Sequence, residues 1–194
     1  ECIIAPGFEP AALERLQKKK DLRLLEWPKL AVVRQENQFR TVAGGYLVQT
    51  PDLVTTRTPE WKVIGEEPSE KIWRDLLLAW KVCARLKSNA IAIAANGRTV
   101  GLGMGQVNRV DAVQHAIERM NRHRKEGDSS THATDVCLAS DAFFPFPDSI
   151  EKAADAGIRW IIQPGGSIRD EDVLAKARER GLNMILTGRR HFRH

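Results

Sequence analysis

The sequence predicts an α/β fold: a mixed sheet with helices on both faces. Two observations carry that class. Asn96-Gly97 joins two short apolar runs, Ile91–Ala95 and residues 99–102, and Asn-Gly between such runs supplies the positive φ angles that a two-residue hairpin turn needs. Beyond the hairpin, segments of helical periodicity alternate with apolar runs at residues 136–138, around Ile161-Ile162 and at residues 183–187. A hairpin followed by strand, helix, strand, helix, strand closes into a mixed sheet covered on both sides.

Taken in order, Ile3 and Ile4 run into Pro6-Gly7. Glu9-Pro10 then opens a helix with proline at its tolerated first position, carrying Leu13 and Leu16 to a basic end at residues 18–20. A strand follows at residues 22–25. The same grammar returns late in the chain: Ile161-Ile162, Pro164-Gly165, a helix with Val173, Leu174 and Ala177 that ends at Gly181, and a strand. This echo suggests an internal duplication whose first copy is only partly present. Residues 2–5 already look like a core strand although the chain opens with Glu1, so the natural polypeptide is expected to begin further upstream.

Residues 27–67 lack periodicity and are punctuated by Gly44-Gly45, Pro51 and Pro59. They read as a connecting arm with short strands around residues 46–48 and 61–64. Pro68-Ser69 opens a strong helix in which Ile72, Trp73, Leu76, Leu77, Trp80 and Cys83 recur at helical spacing, and its tryptophans read as core. After the hairpin, a glycine-rich run from Gly101 to Gln106 leads to a helix from about Arg109. That helix carries Val110, Val113, Ile117 and Met120 on one face, with Asn108 and Asp111 at its cap and first turn. Residues 127–134 read as a polar loop.

At 194 residues the chain has room for one domain, or for one and part of another. Its 42% hydrophobic and 28% charged residues are ordinary for a soluble globular protein. No run of 18 apolar residues spans a membrane, and no signal peptide is visible. Cys2, Cys83 and Cys137 are isolated in apolar segments with no C-x-x-C, which suits buried thiols in a reducing, cytoplasmic compartment and argues against zinc. The net charge of +5 fits an anionic small ligand. The one dense basic cluster, residues 119–125, continues a helix as its solvated end. Nucleic-acid binding would want a basic stripe with interleaved aromatics, and the sequence has none.

The stretch around which the chain is organised reads S-D-A-F-F-P-F-P-D, from Ser140 to Asp148. It lies between an apolar strand and the D-x-x-E helix start of Asp148 and Glu151, in the strand-to-helix position where open α/β sheets bind ligands. Its phenylalanines either line such a ligand or plug the sheet edge. The glycine-rich turn matches neither the dinucleotide fingerprint nor the phosphate loop. Its amides could hold an anion, or its glycines merely allow close packing. Asn89 either presents its amide to a ligand or caps the preceding helix. Asp148, and Ser167 with Asp170 three residues on, fit helix caps. The tail G-R-R-H-F-R-H, Gly188 to His194, either binds phosphate through its arginines or is solvated. No ordered Ser-His-Asp set or paired-carboxylate spacing emerges, so the residues by themselves lead to an anion-binding α/β half-site.

Five longer motifs go further: K-S-N-A-I at Lys87, G-x-G-x-G-Q-x-x-R from Gly101 to Arg109, S-D-A-F-F-P-F at Ser140, Q-P-G-G-S at Gln163 and R-H-F-R-H at Arg190. With these, over nearly its whole length, the chain resembles the carboxyl-terminal half of the transformylase region in the AICAR transformylase/IMP cyclohydrolase family. The resemblance implies a cytidine-deaminase-like three-layer α/β/α fold with a mixed sheet, preceded by the tail of a second, similar subdomain. Residues 1–67 would then be the end of the first transformylase subdomain plus the connecting arm, and residues 68–194 the second subdomain.

The family transfers a formyl group from its co-substrate 10-formyltetrahydrofolate to the 5-amino group of AICAR in purine biosynthesis, and a separate amino-terminal domain closes the ring to IMP. By resemblance, Asn89 meets the AICAR and formyl region, Phe143 packs on the substrate, and Arg190 holds its carboxamide or neighbouring groups. Val110, Asp148, Ser167 and Ile168 fall where folate is held. Asp141 and the terminal segment with His194 lie near a potassium site in some members. The family's Lys-His pair, the centre of the proton chemistry, belongs to the upstream subdomain, and no Lys-His dipeptide occurs here. The family's site also forms across a homodimer. The 194 residues alone are therefore expected to bind ligand weakly and to transfer no formyl group. The alternative is a separately encoded, non-catalytic nucleotide- or folate-binding module, or a partner subunit.

Overall fold

The computed structural model of the chain describes residues 1–31, 37–53, 56–125 and 135–193, in two compact units that divide between Pro51 and Asp52. In the first unit, β1 (Cys2–Ala5), α1 (Pro10–Gln17) and β2 (Arg23–Glu26) form a β-α-β unit with parallel strands, Ile3 opposite Leu24 and Ile4 opposite Leu25. Glu9 is the N-cap of α1 and Pro10 follows it, as the Glu-Pro pair predicts. A two-stranded sheet under one short helix encloses no core: Ile4 is 48% and Leu25 50% exposed. In these 194 residues β1 is left exposed, and Cys2 is exposed while Cys83 and Cys137 are buried.

A hairpin follows, β3 (Gln38–Val42) paired antiparallel with β4 (Gly45–Gln49) around Gly44 at φ +82°. The arm reading located β4 and missed β3, because Gln38, Arg40 and Thr41 make that strand too polar to show a periodic apolar face.

The second unit is built on a six-stranded sheet in the order β5 (Lys62–Ile64), β10 (Asn183–Leu186), β9 (Trp160–Gln163), β8 (Cys137–Ser140), β6 (Ile91–Ala95), β7 (Arg98–Gly103). β8, β9 and β10 are parallel. β6 is antiparallel to β8, β7 to β6, and β5 to β10. The sheet is therefore mixed, as a hairpin followed by alternating strands and helices requires. α2 (Glu70–Cys83) covers one face, while α3 (Arg109–Lys125), α4 (Asp148–Asp155) and α5 (Asp170–Glu179) cover the other, giving three layers. β9, α5 and β10 repeat the parallel β-α-β arrangement of β1, α1 and β2, so the echoed sequence corresponds to the same local unit built twice.

The alternation in β6 shows how the layers are sized. Ile91 and Ile93 pack under α3, whereas Ala92 and Ala94 turn to α2, which brings Trp73, Leu76, Trp80 and Cys83. Large rings on the helix need small residues on the strand, and each large side chain buried this way contributes about 1.5–3 kcal/mol. Ser69 caps α2, its Oγ accepting the Ile72 N–H at 3.4 Å. Asp75 is the polar exception on that apolar face. Its buried carboxylate accepts the N–H groups of Asn96 at 2.8 Å and Gly97 at 2.7 Å, whose φ angles of +52° and +76° make the tight turn.

On the other face, α3 sits directly on β7. A Cβ added to Gly101 or Gly103 would fall well inside contact distance of the Ala116 or Ala112 carbonyl oxygen, so these two glycines serve close packing. Asn108 caps α3, its Oδ1 accepting the Asp111 N–H at 2.8 Å. Among the described residues no helix is long and apolar enough to cross a membrane. The loop expected at residues 127–134 lies outside them.

One edge of this sheet gathers the chemistry. β8, β9 and β10 end there, β6 begins there and β7 ends there, so α3, α4 and α5 all start from the same side. Substituting Gly103→Ala should push α3 off β7 and lower stability by roughly 1–3 kcal/mol, about 3–10 °C in Tm. A thermal unfolding midpoint indistinguishable from the parent would show that this contact is not close.

Candidate functional site

Arg109 opens α3, a place where the helix dipole disfavours a cation. The residue is nevertheless 7% exposed, because its guanidinium turns back across the sheet edge. Nη2 donates to Asn89 Oδ1 at 2.8 Å, and Nη1 to Ser140 Oγ at 3.1 Å and Ala90 O at 3.3 Å. Nη1 is also ion-paired with Asp141 Oδ1. The other oxygen of Asp141 accepts the Ser88 hydroxyl at 2.5 Å. A fully buried carboxylate is tolerable only when paired and hydrogen-bonded in this way.

The network orients Asn89. Its Oδ1 faces the guanidinium and its Nδ2 donates to Gln106 O at 2.9 Å, which leaves one amide N–H and one lone pair for a ligand. A cis peptide joins Ser88 to Asn89. α2 ends at Cys83 with Ala84 as its C-cap, so the helix-cap reading of Asn89 is replaced by this one. The Gly105 N–H, part of the glycine-rich turn, donates to Lys87 O at 2.8 Å and is not offered to an anion. Of the residues placed near a potassium site, Asp141 has one carboxylate oxygen paired with Arg109 and the other accepting the Ser88 hydroxyl. His194, the other residue of that reading, lies outside the described residues. Among the described residues no group of three or more His, Cys, Asp and Glu is placed to hold a metal ion.

The phenylalanine stretch divides its labour. Phe144 is 1% exposed in the core beneath α3 and α4, and so plugs the edge. Phe143 is half-buried with the Arg190 guanidinium 4.8 Å over its ring, and exposed Phe146 carries Arg169 at 4.9 Å. Arg190 belongs to a tail without regular structure that is nevertheless tied to the edge. His191 N donates to Asp141 O at 2.8 Å, Ser88 N donates to Arg193 O at 2.8 Å, and Arg193 N donates to Ser88 Oγ at 3.1 Å. The tail is therefore neither frayed nor simply solvated. These contacts link Asn89 to Asp141 through Arg109, and Asp141 to the segment that carries Arg190, whose guanidinium lies over Phe143.

The expected folate positions form a second group along the same edge. Val110 is half-buried in the first turn of α3, next to Arg109. Asp148 is exposed at the start of α4, and one turn further along each helix Lys152 Nζ meets Gln114 Oε1 at 3.1 Å. Asp148 is not the cap of α4. Pro147 occupies the N-cap position, and Asp148 Oδ1 accepts the N–H of Ser149 instead. Ser167 is not the cap of α5 either, since Arg169 holds that position. Asp170 closes the loop from the other direction, accepting the N–H groups of Gly166 at 2.7 Å and Ser167 at 3.0 Å, while Ser167 Oγ accepts Arg169 N–H at 3.1 Å. This rigid turn presents Ile168 fully to solvent. The Phe146–Arg169 contact links the loop to the phenylalanine stretch.

Arg109, Ser88 and His191 are the residues that sequence reasoning passed over. The signal for Arg109 was its sign, an arginine at the start of a helix whose dipole repels it. Ser88 and His191 carry no such mark.

The chain is similar to known proteins over its whole length. The family model described as AICARFT/IMPCHase bienzyme matches residues 1–119. The bifunctional purine biosynthesis protein PurH of Synechococcus elongatus is 50% identical over 195 aligned residues, which take in all of this chain and 36% of that protein. The proteins of the same name from Synechocystis sp. and Bacillus subtilis are 48% and 47% identical over the same shares. The chain thus spans about 36% of the length of these curated relatives.

Arg109→Lys keeps the charge but cannot reach Asp141 and Asn89 at once from a single ammonium. It should cost about 1.5–3 kcal/mol in urea-induced unfolding. An unchanged midpoint would show that the fork geometry is not what holds the edge.

Proposed function

The chain belongs to the AICARFT/IMPCHase bienzyme family, and from that premise we propose that it supplies one wall of a formyltransferase site. The reaction moves a formyl group from 10-formyltetrahydrofolate to the 5-amino group of AICAR, in a polypeptide that also closes the ring as IMP cyclohydrolase. Residues 1–67 would close a first cytidine-deaminase-like subdomain and carry the arm, with residues 68–194 as the second. The boundary between the compact units falls earlier, at Pro51 and Asp52, because β5 joins the second sheet. The working site would be shared across a homodimer, in the cytoplasm. Identity to bifunctional proteins along the entire chain does not favour a separately encoded binding module.

The observation that carries this reading is the convergence on one edge of an oriented amide, Asn89, and an arginine stacked on an aromatic ring, Arg190 on Phe143. An aromatic amine is a weak nucleophile, so its attack on the formyl carbon needs orientation, removal of the amine proton and stabilisation of the oxyanion. Phe143 and Arg190 would orient the imidazole ring and its carboxamide. The remaining N–H of Asn89 would meet the oxygen on which charge develops, since Arg109 and Gln106 O hold the amide with that hydrogen outward. Val110, Asp148, Ser167 and Ile168 would hold the folate. The new C–N bond forms at the formyl carbon with loss of the amine proton to a base, and the bond from that carbon to N10 then breaks as N10 takes up a proton and tetrahydrofolate leaves. That base would come from the family's Lys-His pair, a dipeptide that does not occur in this sequence.

In the natural polypeptide containing this sequence, Asn89→Ala should lower kcat by about 100-fold, with a smaller effect on the KM for AICAR, read by release of tetrahydrofolate. Residues 1–194 alone should give no turnover with both substrates. Transfer by these residues alone, or full activity of the Asn89→Ala enzyme, would overturn the assignment.

A further inference from the structure

Among the described residues 188–193, His191 is the single buried one, with Arg190 and Phe192 exposed on either side of it. Its imidazole lies edge-to-face on Trp80 with ring centroids 4.2 Å apart, and its Nδ1 is 2.5 Å from Asp52 Oδ2. Its Nε2 is buried without a hydrogen-bond partner. Burial holds the ring's pKa below its ordinary value of 6.5 even though Asp52 pulls the other way. A neutral imidazole that donates Nδ1–H to Asp52 satisfies both facts. Asp52, Arg189 and Asp141 are the charged groups that act on the ring.

Arg190, the residue immediately before, has no regular secondary structure to hold it. Its backbone direction is set by what fixes its neighbour: the His191 N–H on Asp141 O and the His191 ring sunk between Trp80 and Asp52. With His191 turned inward, Arg190 is left exposed beside it, its guanidinium 4.8 Å over the Phe143 ring. We infer that His191, locked by Asp52 and Trp80, is a positioning residue that holds Arg190 over Phe143 and so sets the affinity of this edge for the substrate nucleotide. The inference deepens the formyltransferase reading and rests on it for the identity of that nucleotide.

The test is a double-mutant cycle on AICAR affinity in the natural polypeptide, with hydrogen exchange at the tail as a readout that needs no ligand. Arg190→Ala should weaken AICAR binding by about tenfold. His191→Leu, which keeps apolar packing on Trp80, should do the same, while folate KM stays unchanged. The double variant should bind no worse than either single one, since both remove the same contact. Asp52→Ala serves as the second probe and should reproduce the His191→Leu loss in a chain whose core is untouched. Multiplied losses in the double variant, or unchanged affinity in both His191→Leu and Asp52→Ala, would overturn the inference. If the parent enzyme binds no AICAR, the formyltransferase reading fails. Faster exchange at the His191 and Arg193 amides in His191→Leu would then support the latch, and unaltered exchange would overturn it.

Discussion

The buried pair of Arg109 and Asp141 is the constraint on which the arrangement of this sheet edge depends. Four segments distant in sequence meet at these two residues: the loop before β6 through Ser88 and Asn89, the first turn of α3, the end of β8 through Ser140, and the tail through the His191 amide on the Asp141 backbone carbonyl. A pair of this kind is a poor source of net stability, because taking two charges out of water costs about what their attraction returns. Its worth lies in specificity. A hydrophobic pair of the same volume could fill the space, but it would not point the Asn89 oxygen inward and leave one amide hydrogen outward.

The layers behind the edge keep it rigid by simple steric means. Tryptophans on α2 meet alanines on β6, and glycines on β7 admit the backbone of α3. Both devices bring a helix close to the sheet at a fixed height, which settles where the helix begins and hence where Arg109 and Val110 stand. Phe144 performs the same service from the loop side, filling the core while Phe143 and Phe146 remain outside with arginines over their rings. Phe144 is thus the plug, and the rings of Phe143 and Phe146 stay out of the core.

Much of this architecture was legible in the sequence because it rests on periodicity and on turn chemistry. The Asn-Gly hairpin, the Ser69 cap, the tryptophan face of α2 and the order of strands and helices all follow from local rules. What escaped are features that depend on partners far away in the chain. Asp148 looked like a cap, yet Pro147 takes that position, and no local rule prefers a proline there. Ser167 looked like a cap too, but Asp170 reaches back to the Gly166 and Ser167 amides, so the loop is closed from inside the helix. Asp75 was unremarked because a carboxylate on an apolar helix face makes sense only once the hairpin turn is folded over it. Arg109 was legible as a motif residue and not as a hub, since its four partners come from two segments distant from it in the chain.

The most direct measurement is the coupling energy between Arg109 and Asp141, from urea unfolding of Arg109→Met, Asp141→Leu and the double variant. Each single change leaves one buried charge unmatched and should cost about 3–5 kcal/mol, whereas the double change removes both charges and should recover most of that loss. Single effects that add to within about 0.5 kcal/mol in the double variant would mean that the two side chains act independently, and the account of this edge as one network would be contradicted.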